Sequence, residues 1–256
     1  MTTDRRVLVH PDKDSLAGAV AARFITKIID ILDEFDEAHV VLSGGSVNTD
    51  VMSAIRNSPA QTNVDWQRIH FWWGDERFVE KNSADRNELQ AREALLDHIP
   101  VDEAKIHPMA PSDEIPDLDE AAAAYARELA DAAPDAAPYP RFDILFLGVG
   151  PDGHIASLFP GMEGITVRDA IVIPVRDSPK PPPLRVSMTL PVIQSADRIW
   201  LVLAGADKAS ALGLALAGAS VDEVPVAGAE GRKRTVFFVD KEAAAEVPES
   251  LIAPSY

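Results

Sequence analysis

One histidine of the chain stands inside a glycine-rich stretch, GVGPDGHIASLFPG, which covers residues 148–161. Its first three glycines have the G-x-G-x-x-G spacing that cradles the pyrophosphate of a dinucleotide. In a dinucleotide-binding unit this loop leads into a long helix, but here Pro160 follows His154 after only IASLF, and proline breaks the interior of a helix. Asp169 has the spacing of the expected ribose-binding acid, yet it precedes the next apolar run instead of closing it. The pattern therefore indicates a loop that holds a histidine and speaks against a dinucleotide site.

His154 is the residue of this loop that could act as a general base. It follows an apolar run, FDILFLGVG (142–150), and Asp152 stands two residues before it. Unperturbed histidine has a pKa of ~6.5, so the neutral imidazole can take a proton from a water molecule that attacks an electrophilic carbon. A purely structural histidine is the alternative. Ser157 lies three residues further on, but no G-x-S-x-G motif marks it as a nucleophile.

A second glycine-containing stretch, Ser43-Gly44-Gly45-Ser46, follows an apolar run and precedes a helical pattern. Glycines allow a ligand to approach the backbone, and the N–H groups at a helix N-terminus attract anions. An ordinary strand-to-helix turn with Ser46 as the N-cap is the alternative. No Gly-Lys-Ser/Thr follows, so the stretch is not a P-loop and a nucleoside triphosphate is not expected.

Charged residues end two other apolar runs. In Gly74-Asp75-Glu76-Arg77, Arg77 could grip an oxyanion of a substrate while Asp75 accepts hydrogen bonds from sugar hydroxyls, and a solvated loop is the alternative. In Gly205-Ala206-Asp207-Lys208, a lysine in the first turn of a helix opposes the helix dipole by ~0.3–1 kcal/mol, a penalty that a bound phosphate would reverse. The alternative there is an exposed lysine paired with Asp207 or another acid.

The elements that must position these groups alternate between short apolar runs and amphipathic helical patterns. Strands are predicted at 5–10, 39–45, 68–76, 142–150, 170–175, 185–190, 198–205 and 234–240. Helices are predicted at 12–35, 47–57, 86–99, 117–133 and 206–218. Because several strands are apolar throughout, we predict an α/β fold: a three-layer α/β/α, Rossmann-like arrangement around an open, mostly parallel sheet. Ligands of such sheets bind beyond the carboxyl ends of the strands, and the proline-rich stretch 177–183 is an extended loop that could reach this site.

Length and composition favour a single domain over residues 1–256. The net charge of −17 argues against nucleic acid or an anionic membrane as a partner, because phosphate contacts need clustered Lys and Arg. The N-terminus lacks a signal-peptide pattern and no apolar run reaches membrane-spanning length, so a cytoplasmic protein is expected. The absence of cysteine excludes disulfides and thiolate metal sites. Since the six histidines are scattered along the sequence and no H-E-x-x-H motif occurs, no metal site is expected.

Taken together, these stretches resemble the 6-phosphogluconolactonase family over nearly the whole chain. The matching stretches are LSGGS (42–46), WGDERFV (73–79), RNELQAREALL (86–96), GVGPDGHIASLFPG (148–161), KPPPLRVSMTLPVI (180–193) and GADK (205–208). The resemblance implies hydrolysis of 6-phospho-D-glucono-1,5-lactone to 6-phosphogluconate in the pentose phosphate pathway, without a required cofactor. It also implies a Rossmann-like fold shared with sugar-phosphate isomerases and deaminases. The expected partner is the phosphosugar lactone, and the expected state is a monomer or a small homo-oligomer.

By that resemblance His154 would be the general base, and Asp152 would either orient its imidazole or contact the sugar. Gly44, Gly45 and Ser46 would line the substrate, and Asn87 matches a polar position of the family pattern. The candidates for the phosphate end of the substrate are Arg77, Arg185 and Lys208. No residue is assigned to stabilise the tetrahedral oxyanion.

The chain departs from the family pattern in two places. Val47-Asn48 stands where Thr-Pro is more usual, and Ile155 stands where threonine is usual, but neither removes a polar group that the mechanism clearly needs. Related glucosamine-6-phosphate deaminases continue toward Phe-Asn-Glu-Pro after the DGH triplet, whereas this chain has Ser157-Leu158-Phe159-Pro160 and lacks that acid. A hydrolase is therefore favoured over a deaminase. A catalytically silent sugar-phosphate sensor on the same fold is the remaining alternative.

Overall fold

Nine β-strands are present in the part of the chain that the computed structural model describes, residues 4–134 and 137–252. They are β1 (Asp4–His10), β2 (Ala38–Leu42), β3 (Ile69–Trp73), β4 (Asp75–Arg77), β5 (Ile144–Leu147), β6 (Val172–Val175), β7 (Arg185–Met188), β8 (Arg198–Leu203) and β9 (Arg234–Asp240). Six of these described strands form a parallel central sheet in the order β1-β9-β8-β5-β2-β3. The predicted α/β fold with a mostly parallel sheet is confirmed.

Helices cover both faces of the central sheet. They are α1 (Lys13–Glu34), α2 (Ser46–Asn57), α3 (Asn87–Ala94), α4 (Leu118–Asp131), α5 (Leu190–Gln194) and α6 (Ala209–Leu216). Side chains of α1, α2 and α3 pack in one apolar cluster with one face of the sheet. Side chains of α4, α5 and α6 pack in a second cluster with the other face. Because both faces are covered, the sheet strands are apolar at nearly every position.

Helix α1 shows how local sequence sets an element. The carboxylate of Asp12 caps its first turn by accepting a hydrogen bond from the Ser15 N–H at 2.8 Å. Leu16, Val20 and Ile28, which recur at helical spacing, are fully buried against the sheet. The predicted start at residue 12 and end at residue 35 are the two caps of the helix. No helix in the described residues is long and apolar enough to cross a membrane.

A second, antiparallel sheet in the order β4-β7-β6 was not foreseen from the sequence. The predicted strand 68–76 divides at Gly74, whose N–H bonds to Leu42 O of the central sheet while its carbonyl accepts from Met188 N–H of the small sheet. Arg77 is paired in register with Arg185 across this small sheet. The split therefore turns the charged residues after Gly74 away from the central sheet and toward strand β7.

Several predicted boundaries were too long. The predicted helix 86–99 ends at Ala94 and continues as a 3₁₀ turn over Leu96–His98, and the predicted strand 185–190 ends at Met188. Pro191 supplies the first turn of α5, where its missing N–H costs nothing. The predicted helix 206–218 opens with a 3₁₀ turn, Ala206–Lys208, before α6.

Candidate active site

A cleft opens beyond the carboxyl ends of the central strands, where the sequence places it. The loops after β2, β5 and β8, the strands β4 and β7, and the start of α3 all contribute to its wall. The lining residues are Ser43, Gly44, Gly45, Asp75, Arg77, Asn87, Gly148, Val149, Gly150, Pro151, His154, Ala156, Lys180, Arg185 and Lys208. The structure thus brings eight of the ten predicted site residues to the cleft wall, and the other two, Asp152 and Ser46, lie beside it.

His154 is held by Asp152 at the edge of this cleft. The Oδ1 atom of Asp152 lies 2.6 Å from Nδ1 of the imidazole, which stacks at a tilt on Phe159 with ring centroids 4.5 Å apart. An Nδ1–H that donates to the carboxylate leaves Nε2 as the basic nitrogen. Of the two roles left open for Asp152, orienting the imidazole fits this geometry. Burial alone would raise the pKa of Asp152, but the hydrogen bond and charge of His154 and the nearby Lys180 outweigh burial and hold that pKa well below its ordinary value.

Gly150 makes room for this pair. A Cβ atom at position 150 would stand 2.0 Å from His154 Nδ1 and 2.4 Å from Asp152 Oδ1, which no side chain could tolerate. The Gly150 N–H also bonds to the carbonyl of His154 at 3.0 Å, so the loop closes on itself around the imidazole. Gly150 therefore gives the histidine its clearance, whereas a Cβ at Gly148 or Gly153 would meet Asn48 or Val224, and one at Gly161 would meet nothing within 4 Å, so these glycines do not serve the histidine in this way.

Asp75 and Asn87 form a buried polar part of the cleft wall. The Asp75 carboxylate accepts a hydrogen bond from the Ser157 hydroxyl at 2.6 Å, which makes Ser157 an anchor for Asp75. The amide of Asn87 donates to the Asp75 backbone carbonyl at 2.9 Å. Its Oδ1 has no hydrogen-bond partner and occupies the space where a Cβ on Gly44 would lie, at 1.8 Å. Asn87 therefore presents a free acceptor beside Gly44.

Glu76 is a structural residue of the site that the sequence reasoning missed. Its fully buried carboxylate accepts hydrogen bonds from the backbone N–H groups of Arg77, Asn87 and Glu88 at 2.7–2.9 Å. Burial raises its pKa to about 7, and the charge of Arg86 opposes that rise. A carboxylate at a helix N-terminus is favourable, so Glu76 fixes the start of α3 and with it Asn87. The only signal in the sequence was one acid among three consecutive charged residues.

The predicted cations meet at the cleft, but each also has protein partners. Arg77 donates to Asp85 O at 2.7 Å, and its Nε has no partner. Arg185 donates to the carbonyls of residues 180, 181 and 182, and burial lowers the pKa of its guanidinium, an effect that Asp75 opposes. Lys208 pairs with Asp207 at 2.9 Å, the alternative considered above, and still lines the cleft.

Ser46 does not line the cleft. It is the exposed first residue of α2, and the N-cap is Gly45, whose φ is +98°. The alternative interpretation of Ser46 as the N-cap was therefore wrong by one residue, because the glycine takes the non-helical conformation.

Lys180 belongs to the site although it was not singled out from the sequence. Its Nζ lies 3.2 Å from Asp152 Oδ1 and 3.2 Å from His154 Nδ1. It is carried by the proline-rich loop 177–183, which therefore reaches the site as the sequence allowed. A lysine between prolines was the available signal.

Three histidines that are far apart in the sequence gather at the opposite, amino-terminal edge of the sheet, where its strands begin. The rings of His39, His70 and His107 are stacked, with centroids 4.6 Å and 5.2 Å apart, and Trp72 stacks on His107 at 3.8 Å. Glu37 Oε2 lies 3.4 Å from Nε2 of His70, the middle ring, and Glu128 Oε1 lies 2.7 Å from Nδ1 of His107, an outer ring. Within residues 4–134 and 137–252, no group of three or more His, Asp or Glu residues is placed to hold a metal ion.

Comparison with known proteins gives a consistent result. Residues 11–238 match the family described as glucosamine-6-phosphate isomerases/6-phosphogluconolactonase. The chain is 47% identical to a 6-phosphogluconolactonase of Streptomyces coelicolor, with 100% of this chain and 99% of that protein covered. It is 41% identical to one of Mycobacterium tuberculosis, over 94% of this chain and 97% of that protein. The solved structure of a Trypanosoma brucei 6-phosphogluconolactonase matches with a TM-score of 0.82 at 27% identity, over 96% of this chain and 100% of the other.

Proposed function

Because the chain belongs to the family of glucosamine-6-phosphate isomerases and 6-phosphogluconolactonases, we propose that it hydrolyses 6-phospho-D-glucono-1,5-lactone to 6-phosphogluconate with His154 as the general base. It is an enzyme of the lactone-hydrolysing branch, the branch to which both bacterial relatives belong. The observation that carries the assignment of the base is the 2.6 Å contact between Asp152 and His154 Nδ1 at the wall of a cleft lined by cations.

The chemistry needs a water molecule and one proton carrier. Nε2 of His154 takes a proton from the water as its oxygen attacks the lactone carbonyl carbon, and a tetrahedral oxyanion forms. When that oxyanion collapses, the bond between the carbonyl carbon and the ring oxygen breaks, and the proton on His154 passes to the leaving ring oxygen. Asp152 keeps the imidazole in the tautomer that starts the cycle and balances the charge of the imidazolium.

The phosphate end of the substrate fits the cationic side of the cleft. Arg77 and Arg185 stand opposite each other in register on β4 and β7, and like charges in such a pair are unfavourable without an anion. Lys208 lines the same cleft from the turn after β8. A bound phosphate, which carries about two negative charges, would offset most of this positive charge, and Asp75, Asn87 and Gly44 would face the sugar hydroxyls.

A turnover assay tests this proposal. Fresh 6-phosphogluconolactone is supplied to the pure protein and its loss is followed by NMR against the spontaneous hydrolysis. We expect the protein to accelerate hydrolysis strongly. Hydrolysis at the spontaneous rate would refute the lactonase assignment and favour a catalytically silent sensor. Release of ammonia from glucosamine 6-phosphate, measured in parallel, would favour a deaminase instead.

A further inference from the structure

From the contacts of its ammonium group, we infer that Lys180 is a positioning residue that keeps the His154–Asp152 pair in its base form, with Asp152 ionised and the imidazole neutral. This inference rests on the proposed role of His154 as the base. Lys180 Nζ lies 3.2 Å from Asp152 Oδ1, the same oxygen atom that binds His154 Nδ1 at 2.6 Å. One carboxylate oxygen therefore accepts from both side chains, and the backbone N–H of His154 also donates to it at 3.5 Å.

The charge of Lys180 acts on both partners. An ammonium beside a carboxylate stabilises the ionised carboxylate, and Lys180 is one of the groups that hold the pKa of Asp152 low. The same ammonium is 3.2 Å from Nδ1 of the imidazole, so a second proton on that ring would place two cations side by side. Asp152 by itself would favour the protonated imidazole, and Lys180 opposes that effect.

The loop that carries Lys180 is built to hold it in place. The buried guanidinium of Arg185 donates to the backbone carbonyls of residues 180, 181 and 182 at 3.1 Å each. The Ser178 hydroxyl accepts from the Lys180 N–H at 3.3 Å and donates to the Lys180 carbonyl at 2.9 Å. The backbone of Lys180 is thus clamped on both sides, although its side chain is 38% exposed. This arrangement gives Arg185 a second function beside its place on the cleft wall.

Other charged residues face the same cleft, and the effect of Lys180 on His154 and Asp152 adds to theirs. Besides Lys180, the charged residues on the cleft wall are Asp75, Arg77, Arg185 and Lys208, and Asp152 lies beside the cleft. Among the described residues, Lys180 is the one cation within hydrogen-bond distance of an imidazole nitrogen of His154, so its removal isolates one interaction.

The test compares the wild type with Lys180→Met, Lys180→Arg and a control, Lys27→Met. The control removes an equal charge from α1, where Lys27 pairs with Asp30. The ring signals of His154 are titrated by NMR without substrate, and kcat/KM is measured across the same pH range. In Lys180→Met we expect the His154 titration and the acid limb of kcat/KM to move upward by about one pH unit. On that acid limb kcat/KM of Lys180→Met is then about tenfold below the wild type, while at high pH the two are equal. Lys180→Arg and Lys27→Met should follow the wild type.

Three results would overturn the inference. One is a His154 titration in Lys180→Met that coincides with the wild type. Another is a raised KM with an unmoved acid limb, which would make Lys180 a substrate ligand. The third is an Arg variant that shifts as far as the Met variant, which would mean that shape and not charge matters. The titration needs no turnover, so a wild type without lactonase activity would refute the proposed function and still leave this inference testable.

Discussion

Histidines lie at both ends of the central sheet, and the two ends treat them in opposite ways. At the amino-terminal edge, His39 is partly buried in a stack of aromatic rings and accepts a hydrogen bond from Trp72 Nε1 at 3.2 Å. Burial lowers the pKa of His39 to about 3, and it also lowers the pKa of His70. At the carboxyl-terminal edge, His154 has an aspartate on Nδ1 and a cleft in front of it.

The hydrogen-bond partners of a histidine and its access to solvent, more than the residue type, therefore determine whether it stays neutral or can exchange protons. A neutral histidine packed among rings contributes to the core and resists protonation, because the charged form would lose its hydration. An imidazole with an anionic partner and an open face can accept a proton and release it again. Each prediction below changes one end of the sheet and uses the other end as its reference.

The largest effect is expected at the carboxyl-terminal edge. His154→Ala should lower kcat by ~10²–10⁴-fold, because the general base is removed, while the affinity for a phosphosugar stays close to that of the wild type. The matched control at the other edge is His39→Gln, which should keep wild-type turnover at neutral pH. Steady-state kinetics with the lactone and calorimetric binding of 6-phosphogluconate measure the two quantities. If turnover persists in His154→Ala, the base is misassigned.

Gly150→Ala tests whether the loop exists to make room for the imidazole. The added methyl group would stand 2.0 Å from His154 Nδ1 and must displace the His154–Asp152 pair. We expect kcat to fall by ~10–100-fold, since small misplacements of a catalytic group cost that much. Gly18→Ala is the control, because a Cβ there meets nothing within 4 Å in helix α1 and should stabilise the fold by up to ~1 kcal/mol. Wild-type kcat in Gly150→Ala would show that the clearance is not needed.

Protonation of His39 at the amino-terminal edge should make the stability of the fold depend on pH. The pKa of His39 in the folded state, about 3, lies below that of an unfolded chain, ~6.5, so the unfolded state binds more protons between these values. The contribution of neutral His39 to the unfolding free energy is therefore fully present above pH ~6.5 and is lost as the pH falls toward 3. We expect a loss of about 2 kcal/mol between pH 7 and pH 5.

His39→Gln removes this titration but keeps an acceptor for Trp72, so its unfolding free energy should fall less between pH 7 and pH 5 than that of the wild type. Urea unfolding at several pH values measures the difference. The same substitution at the exposed His98 is the control and should leave the slope unchanged. Equal slopes for the wild type and His39→Gln would show that burial at this edge does not resist protonation.

The smallest effect concerns the lysines of the two edges. Lys208→Met should raise KM for the lactone by about tenfold with little change in kcat, because one charge-assisted contact to the phosphate is lost. Lys105→Met, which loses an ion pair with Glu37 at the amino-terminal edge, should leave KM unchanged. An unchanged KM in Lys208→Met would move the phosphate site to other cations of the cleft.

The sequence was sufficient for the parts of the protein that depend on local pattern. Apolar periodicity predicted every helix except α5 and the apolar strands of the parallel sheet, because burial imposes a period on each element separately. The sequence also predicted that the stretch 148–161 is a loop, because Pro160 forbids a long helix after His154.

Contacts between distant residues were not predictable in this way. The division of 68–76 at Gly74 depends on a hydrogen bond from Met188, more than a hundred residues away in the chain. The anchoring of Asp75 by Ser157 joins residues 82 positions apart, and the stack of His39, His70 and His107 joins three separate elements. Such pairings follow from strand order and register, which no local pattern encodes.

The sequence alone was therefore enough for the class of fold and for the end of the sheet that carries the cleft, and it singled out His154 as the candidate base. Only the tertiary structure decided that Asp152 and Lys180 share one carboxylate oxygen beside that histidine, and that Glu76 faces inward to hold α3. Residue types and their spacing determine local structure, because they act between residues that are close in the sequence. The direction in which a charged side chain points is set by neighbours brought together from elsewhere in the fold.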